Sequence, residues 1–194
     1  MLSICVRLGL VLLALALAGC SSGARLYVNP DADMTFYTRV AIVPFENLSG
    51  ERFASERIAR AFITELILTE RFEVVDTGEF NLELGKIGGL PGTEGNYDTE
   101  KLKIAATAVQ ATGLIRGSVS EYHMQRVGTS DAPVVTFDIS MYDVATGKLV
   151  WQASATKRGK ARFPIFGGTG TRTFGLLVQK ACHDMVSRLE SEAF

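Results

Sequence analysis

The chain has 194 residues, a formal net charge of −1, 47% hydrophobic residues, three cysteines and two histidines. That balance excludes a strongly basic nucleic-acid binder and a disulfide-stapled scaffold. Neither of the two histidines has paired His, Cys, Asp or Glu spacing around it, and a zinc site takes three or four such ligands, so neither a metal nor a cofactor is expected.

The N-terminus divides into three parts. Met1–Arg7 carries one side-chain cation, and Leu8–Ala18 is unbroken apolar residue or glycine. That run of about eleven residues falls short of the roughly 17–25 that span a bilayer and matches the apolar core of an export signal. An uncleaved anchor is the other reading of the same segment. "Leu17-Ala18-Gly19-Cys20" resembles the bacterial lipobox, which implies diacylation of the Cys20 thiol, cleavage before it and acylation of the new amine. Two or three acyl chains anchor stably where one does not. The same resemblance, with Ser21 after the cysteine, implies sorting to the outer membrane. Cys5 then leaves with the signal and Cys20 carries lipid, so Cys182 stands alone on an apolar helical stripe, as a buried thiol.

Removing residues 1–19 leaves about 175 residues, the size of one domain. Residues 20–38 read as the lipidated cysteine and a flexible tether, turned at Asn29-Pro30, with the domain over 39–194. "RVAIVPF" (39–45) is a buried strand ended by Pro44. Ile58, Phe62 and Leu66 form a helical stripe between Phe53 and Glu70, widened by Ala59, Ile63 and Ile67. "RFEVVD" (71–76) is a short strand. Six glycines between 77 and 97 make that stretch a loop, with at most a helical turn at "FNLELGKI".

Asp98 predicts an N-cap for a helix to about Ala111, with Tyr97 and Leu102 at the staple positions. "GLIRGSVSEYHMQRV", "PVVTFDISMYDV" and "KLVWQASATK" alternate with period two and are joined by short turns, an antiparallel meander with one face on a core. In the third strand, Leu149, Trp151 and Ala153 are placed on the core side. A final helix over about 173–191 carries Phe174, Leu177, Val178, Ala181, Cys182, Met185 and Leu189 on one face. The fold class is therefore α/β, a single domain with a mixed, mainly antiparallel five-stranded sheet covered by about three helices.

From "VAIVPFENLSGERFASERIARAFITELILTERFEVVD" onward the chain resembles envelope families: CsgG-like curli-secretion lipoproteins, LpoB-type activators of penicillin-binding proteins, and the N-terminal domain of TolB. "GLIRGSVSEY" and "ISMYDVATGKLVW" resemble the matching strands of the first two, so the likeness runs over roughly 39–156. It implies a non-enzymatic, lipid-anchored accessory protein with its domain in the periplasm, binding and regulating or scaffolding an envelope partner. An activator of a peptidoglycan synthase leads; a CsgG-like component of a secretion or surface-assembly complex is the alternative. The sequence departs from the CsgG pattern where "VGTSDAP" is a short polar connection and 157–172 is too short for a second barrel hairpin. A homo-oligomer stays open.

Chemistry is sparse. Neither His123 nor His183 belongs to a nucleophile motif, and there is no G-x-S-x-G. "FGGTGTRTFG" (166–175) lacks the Gly-Lys-Ser/Thr ending of a phosphate loop. Asp138, Asp143 and Glu121 read as solvated-face and turn residues, and no residue is assigned catalysis. The remaining segment of interest is "KRGKARFPIFGG" (157–168), where Lys157 precedes Arg158, Lys160, Arg162, Phe163 and Phe166. Either its two phenylalanines cover the sheet edge, or the segment contacts an envelope protein or lipid headgroups, cations orienting and aromatics burying.

Overall fold

The hub of the domain is the β-branched run that Pro44 ends. In the computed structural model the described residues are 25–89, 97–128, 130–159 and 173–194. Among them lie seven strands and four α-helices: β1 (Arg25–Val28), β2 (Arg39–Ile42), β3 (Glu46–Asn47), α1 (Ala54–Leu68), β4 (Glu73–Val74), α2 (Thr77–Lys86), α3 (Thr99–Ala108), β5 (Gly113–Val127), β6 (Ser130–Asp143), β7 (Leu149–Arg158) and α4 (Phe174–Ala193). The sheet order is β1-β7-β6-β5-β2-β4, with β3 beside β5. β2 runs parallel to β4 and β5, and everything from β5 through β6 and β7 to β1 is antiparallel.

Strand alternation divides the core in two. Val40 and Ile42 point to one face, against Ile58, Phe62 and Leu66 of α1 and the apolar stripe of α4. Ala41 and Val43 point to the other, against Phe80 and Leu84 of α2 and Leu102 and Ala105 of α3. One crossover runs from β2 out to β4 and the next from β4 back past β2 to β5, and because the two run in opposite directions, right-handed crossovers place their helices on opposite faces. Each fully buried Phe or Leu in these layers contributes about 1.5–3 kcal/mol. Cys182 lies in the first layer, wholly buried. Burial, and secondarily the Glu65 carboxylate, raises its thiol pKa, so it is a poor nucleophile.

The structure corrects the expected five strands and three helices. Residues 77–86 are a helix, not a loop: Asp76 accepts hydrogen bonds from the Gly78 and Glu79 N–H groups, and Phe80 and Leu84 are buried one turn apart. The stretch read as tether folds from Arg25 onward. Leu26 and Val28 pack on the first core, Asn29 donates its N–H to Val150 O at 2.8 Å, and Met34 and Tyr37 are buried. The turn expected at Asn29 is present, with its side-chain oxygen accepting from Asp31 N at 3.0 Å.

Trp151 is 1% exposed and stacks on Phe62 at 6.2 Å, on the core side as expected. Leu149 is not there. A register shift pairs Met141 with Trp151 but Tyr142 with Leu149, so Val150 enters the core and Leu149 falls outside it. Glu65 is buried against α4, its Oε2 3.0 Å from His183 Nδ1.

Candidate functional site

Among the described residues α2 and α3 cover β2 and the beginning of β5, and most of the rest of that sheet face carries polar side chains, with Ala132 and Val134 buried on it nearer the β5–β6 turn. Register places them in rows across the strands. Arg25, Ser154, Asp138, Ser118 and Glu46 form one row over five strands. Tyr27, Gln152, Ser140 and Arg116 form the next, and Thr156, Thr136 and Glu121 a third on the other side. Ser154 Oγ donates to Asp138, and Thr136 Oγ1 donates to Glu121 Oε2 at 2.5 Å. Between the rows lies an open hollow of about 350 Å³ bordered by Glu46, Arg116, Asp138, Ser140, Tyr142 and Gln152. Arg116 is half-buried there, a cation among carboxylates and hydroxyls.

Gly117 supports this layer from behind. A Cβ built on it would lie 2.8 Å from the Phe45 ring, so glycine lets that ring pack directly under the strand.

Of the residues singled out by composition, Arg158 joins this surface. It ends β7 opposite Val134, exposed, in line with Thr156 and Ser154 on the polar face. Its neighbour Lys157 points the other way and ties β7 to α4 through an ion pair with Asp184 at 2.7 Å. Lys160, Arg162, Phe163 and Phe166 lie outside the described residues, as does Cys20. Period-two alternation in the sequence already puts Thr136, Asp138, Ser140, Gln152, Ser154 and Thr156 on the side away from the core. Only topology adds Arg116 and Glu46, because β3 is set beside β5 by a two-residue pairing.

Two other groupings touch on chemistry. Ser187 Oγ, His183 Nε2 and Nδ1, and Glu65 Oε2 form a hydroxyl–imidazole–carboxylate line with steps of 3.5 and 3.0 Å. The first step is long, and Ser187 lies within α4, where backbone N–H groups are spent on intrahelical bonds and leave no oxyanion donors. The second is a crevice of about 320 Å³ at the end of β2, between α1 and α2, with apolar walls from Val43, Pro44 and Ile63. Asn81 adds a buried amide oxygen without a hydrogen-bond partner among the described residues. Among the described residues no group of three metal-ligating side chains occurs, and no helix is long and apolar enough to cross a membrane.

Tyr37 donates to Asp143 Oδ2 at 3.1 Å on the side of the β6–β7 turn. Burial, then the adjacent carboxylate, pushes Tyr37 up to about 12. Burial alone would raise Asp143. Hydrogen bonds from the Thr146 hydroxyl and N–H, from Tyr37 and from the Ala145 N–H outweigh it and hold the carboxyl below its ordinary range. Asp143 is thus a turn residue, as its position suggested.

The described geometry is that of a protein with a broad polar face and small open hollows. Residues 26–156 match the family model described as peptidoglycan-synthase activator LpoB. No curated protein matches the sequence. Among solved structures the chain is similar to the PelC dodecamer from Paraburkholderia phytofirmans, with TM-score 0.51, 17% identity, and 84% of this chain and 97% of that one covered. Lipoprotein GNA1162 from Neisseria meningitidis gives TM-score 0.55 at 17% identity, covering 80% of this chain and 96% of that one. The C-terminal domain of LpoB from Salmonella enterica gives 0.50 at 16%, covering 64% and 84%. At these identities the structural likeness establishes a common fold, α/β with a mixed sheet. The sequence match, running from β1 into β7, goes further: the chain belongs to the LpoB family of peptidoglycan-synthase activators.

Proposed function

We propose that this protein is a lipid-anchored accessory factor of the periplasm that binds a peptidoglycan synthase and regulates it, with Cys20 as the acylated residue and the outer membrane as its address. The family match over residues 26–156 carries this reading. The open polar face supports it: activity without a catalytic constellation resides in a surface, and this face offers an orienting cation, carboxylates and hydroxyls over several strands. The contact is taken to extend past Arg158 into the basic segment that holds Arg162.

Charge reversal tests the surface. Arg116→Glu, and separately Arg158→Glu with Arg162→Glu, should weaken capture of the synthase and reduce its stimulation, with the thermal midpoint nearly unmoved, because rim charges govern encounter and orientation more than folding. Unchanged capture in both variants would rule the face out.

A second reading, one subunit of a homo-oligomeric envelope assembly, is supported by the PelC dodecamers that share this fold. Sedimentation of the full chain in detergent separates the two: a single-subunit mass removes the second reading, and it would also remove the secretion-complex alternative in its oligomeric form.

A further inference from the structure

We infer that the turn end of the β5–β6 hairpin rests on the membrane surface, with Met124 and Val127 in the interfacial region and Arg126 among anionic headgroups. The inference rests on the reading of Cys20 as the lipid-bearing residue. It comes from comparing two lengths. Only Ser21–Ala24 separate Cys20 from Arg25, the first residue of β1. Those five Cα steps span at most about 18 Å when fully extended.

The second length is that of the hairpin. Arg25 pairs with Ser154, which pairs with Asp138 of β6, so all three stand at one level of the sheet. From Asp138 the hairpin continues for eight residues to Ser130, opposite Val127. At strand rise this is about 27 Å. β1 is antiparallel to β7, so the chain enters β1 from the same end of the sheet toward which the hairpin projects. A tether leading back toward a bilayer at that end is shorter than the hairpin beside it. The domain therefore cannot stand clear of the surface, and the hairpin end meets the lipid first.

The residues at that end have the chemistry for it. Met124 is 49% exposed, Val127 52%, and Leu176 near the start of α4 60%. Phe174 stacks on Tyr122 at 4.2 Å and so fixes the start of α4 against the hairpin. Arg126 is exposed in the same region, with Asp131 opposite it. Cations near anionic headgroups are attracted electrostatically, and small apolar side chains enter the interface at little cost. The polar face then stands beside the bilayer rather than parallel to it, open to a partner held in the same membrane.

The test uses the full-length, lipidated protein reconstituted into vesicles of phosphatidylethanolamine and phosphatidylglycerol. Val127→Cys and, separately, Met124→Cys carry an environment-sensitive fluorophore, with Lys148→Cys in the opposite turn as control; Cys182 is buried and does not label. The emission at 127 and 124 should shift to the blue and be quenched by lipid-borne nitroxides, and that at 148 should do neither. Water-like emission at 127 and 124, in protein whose mass shows acylated Cys20, would overturn this proposal alone. A mass showing Cys20 unmodified would overturn the anchor reading and this proposal with it.

Discussion

At Trp151 two opposing effects meet in one side chain. The ring is almost wholly buried and stacked on Phe62, while its indole N–H finds no acceptor among the described residues. Truncation to Ala should cost about 3–5 kcal/mol. Trp151→Phe should cost far less, because it keeps a ring in the stack and removes a buried donor whose desolvation is uncompensated. Urea unfolding of both variants checks this, and equal losses would contradict it. The Tyr37–Asp143 pair makes the pH dependence readable by sign. Asp143 binds its proton more weakly folded than unfolded. Its contribution is full above the ordinary carboxylate pKa of about 4 and drains as pH falls through the lowered folded value. Tyr37 binds its proton more tightly when folded, so its contribution is full below about pH 10 and is lost as pH climbs through about 12. Asp143→Asn should therefore flatten the acid limb of stability, read as the urea midpoint between neutral pH and pH 2. An unchanged acid limb would remove Asp143 as its source.

Among the elements, α2 shows how local and tertiary preferences compete. Gly78 and Gly85 each cost about 1 kcal/mol against alanine inside a helix, which is why a glycine count reads this stretch as loop. Burial of Phe80 and Leu84 reverses that, with the Asp76 cap as the starting signal. Asp76→Ala should destabilise the domain by about 1 kcal/mol through loss of two capped N–H groups, whereas the neighbouring exposed Glu79→Ala should change little. Chemical denaturation of the two variants distinguishes them. The β5–β7 meander was legible because its alternation is long and its turns are short. β1 was not, since four residues carry too little pattern and gain their meaning from β7 alone. The open face was half legible: the alternating hydroxyls showed a solvated side, but nothing in the sequence brings Glu46 to Ser118 or Arg25 to Ser154. The basic stretch at 157–162 was conspicuous by composition, yet alternation sends Lys157 to Asp184 and Arg158 to the polar face.

For the molecule as a whole, the pairing of β1 with β7 sets an order in time. Asn29 is bonded to Leu149, 120 residues away. Such a closure carries a large loop-entropy cost until the meander already exists to receive the strand. β1 should therefore acquire amide protection after β5, β6 and β7 in pulsed hydrogen exchange during refolding, and protection of β1 in step with the meander would contradict this. On the proposed reading of residues 1–19 as an export signal, the N-terminal end emerges first while the strand partner of β1 is still to come. Until β7 arrives, β1 has no strand to pair with. On the proposed reading of Cys20 as the lipid-bearing residue, a processing enzyme meets the chain before β1 is seated, and the later seating of β1 draws the domain toward the membrane that holds Cys20.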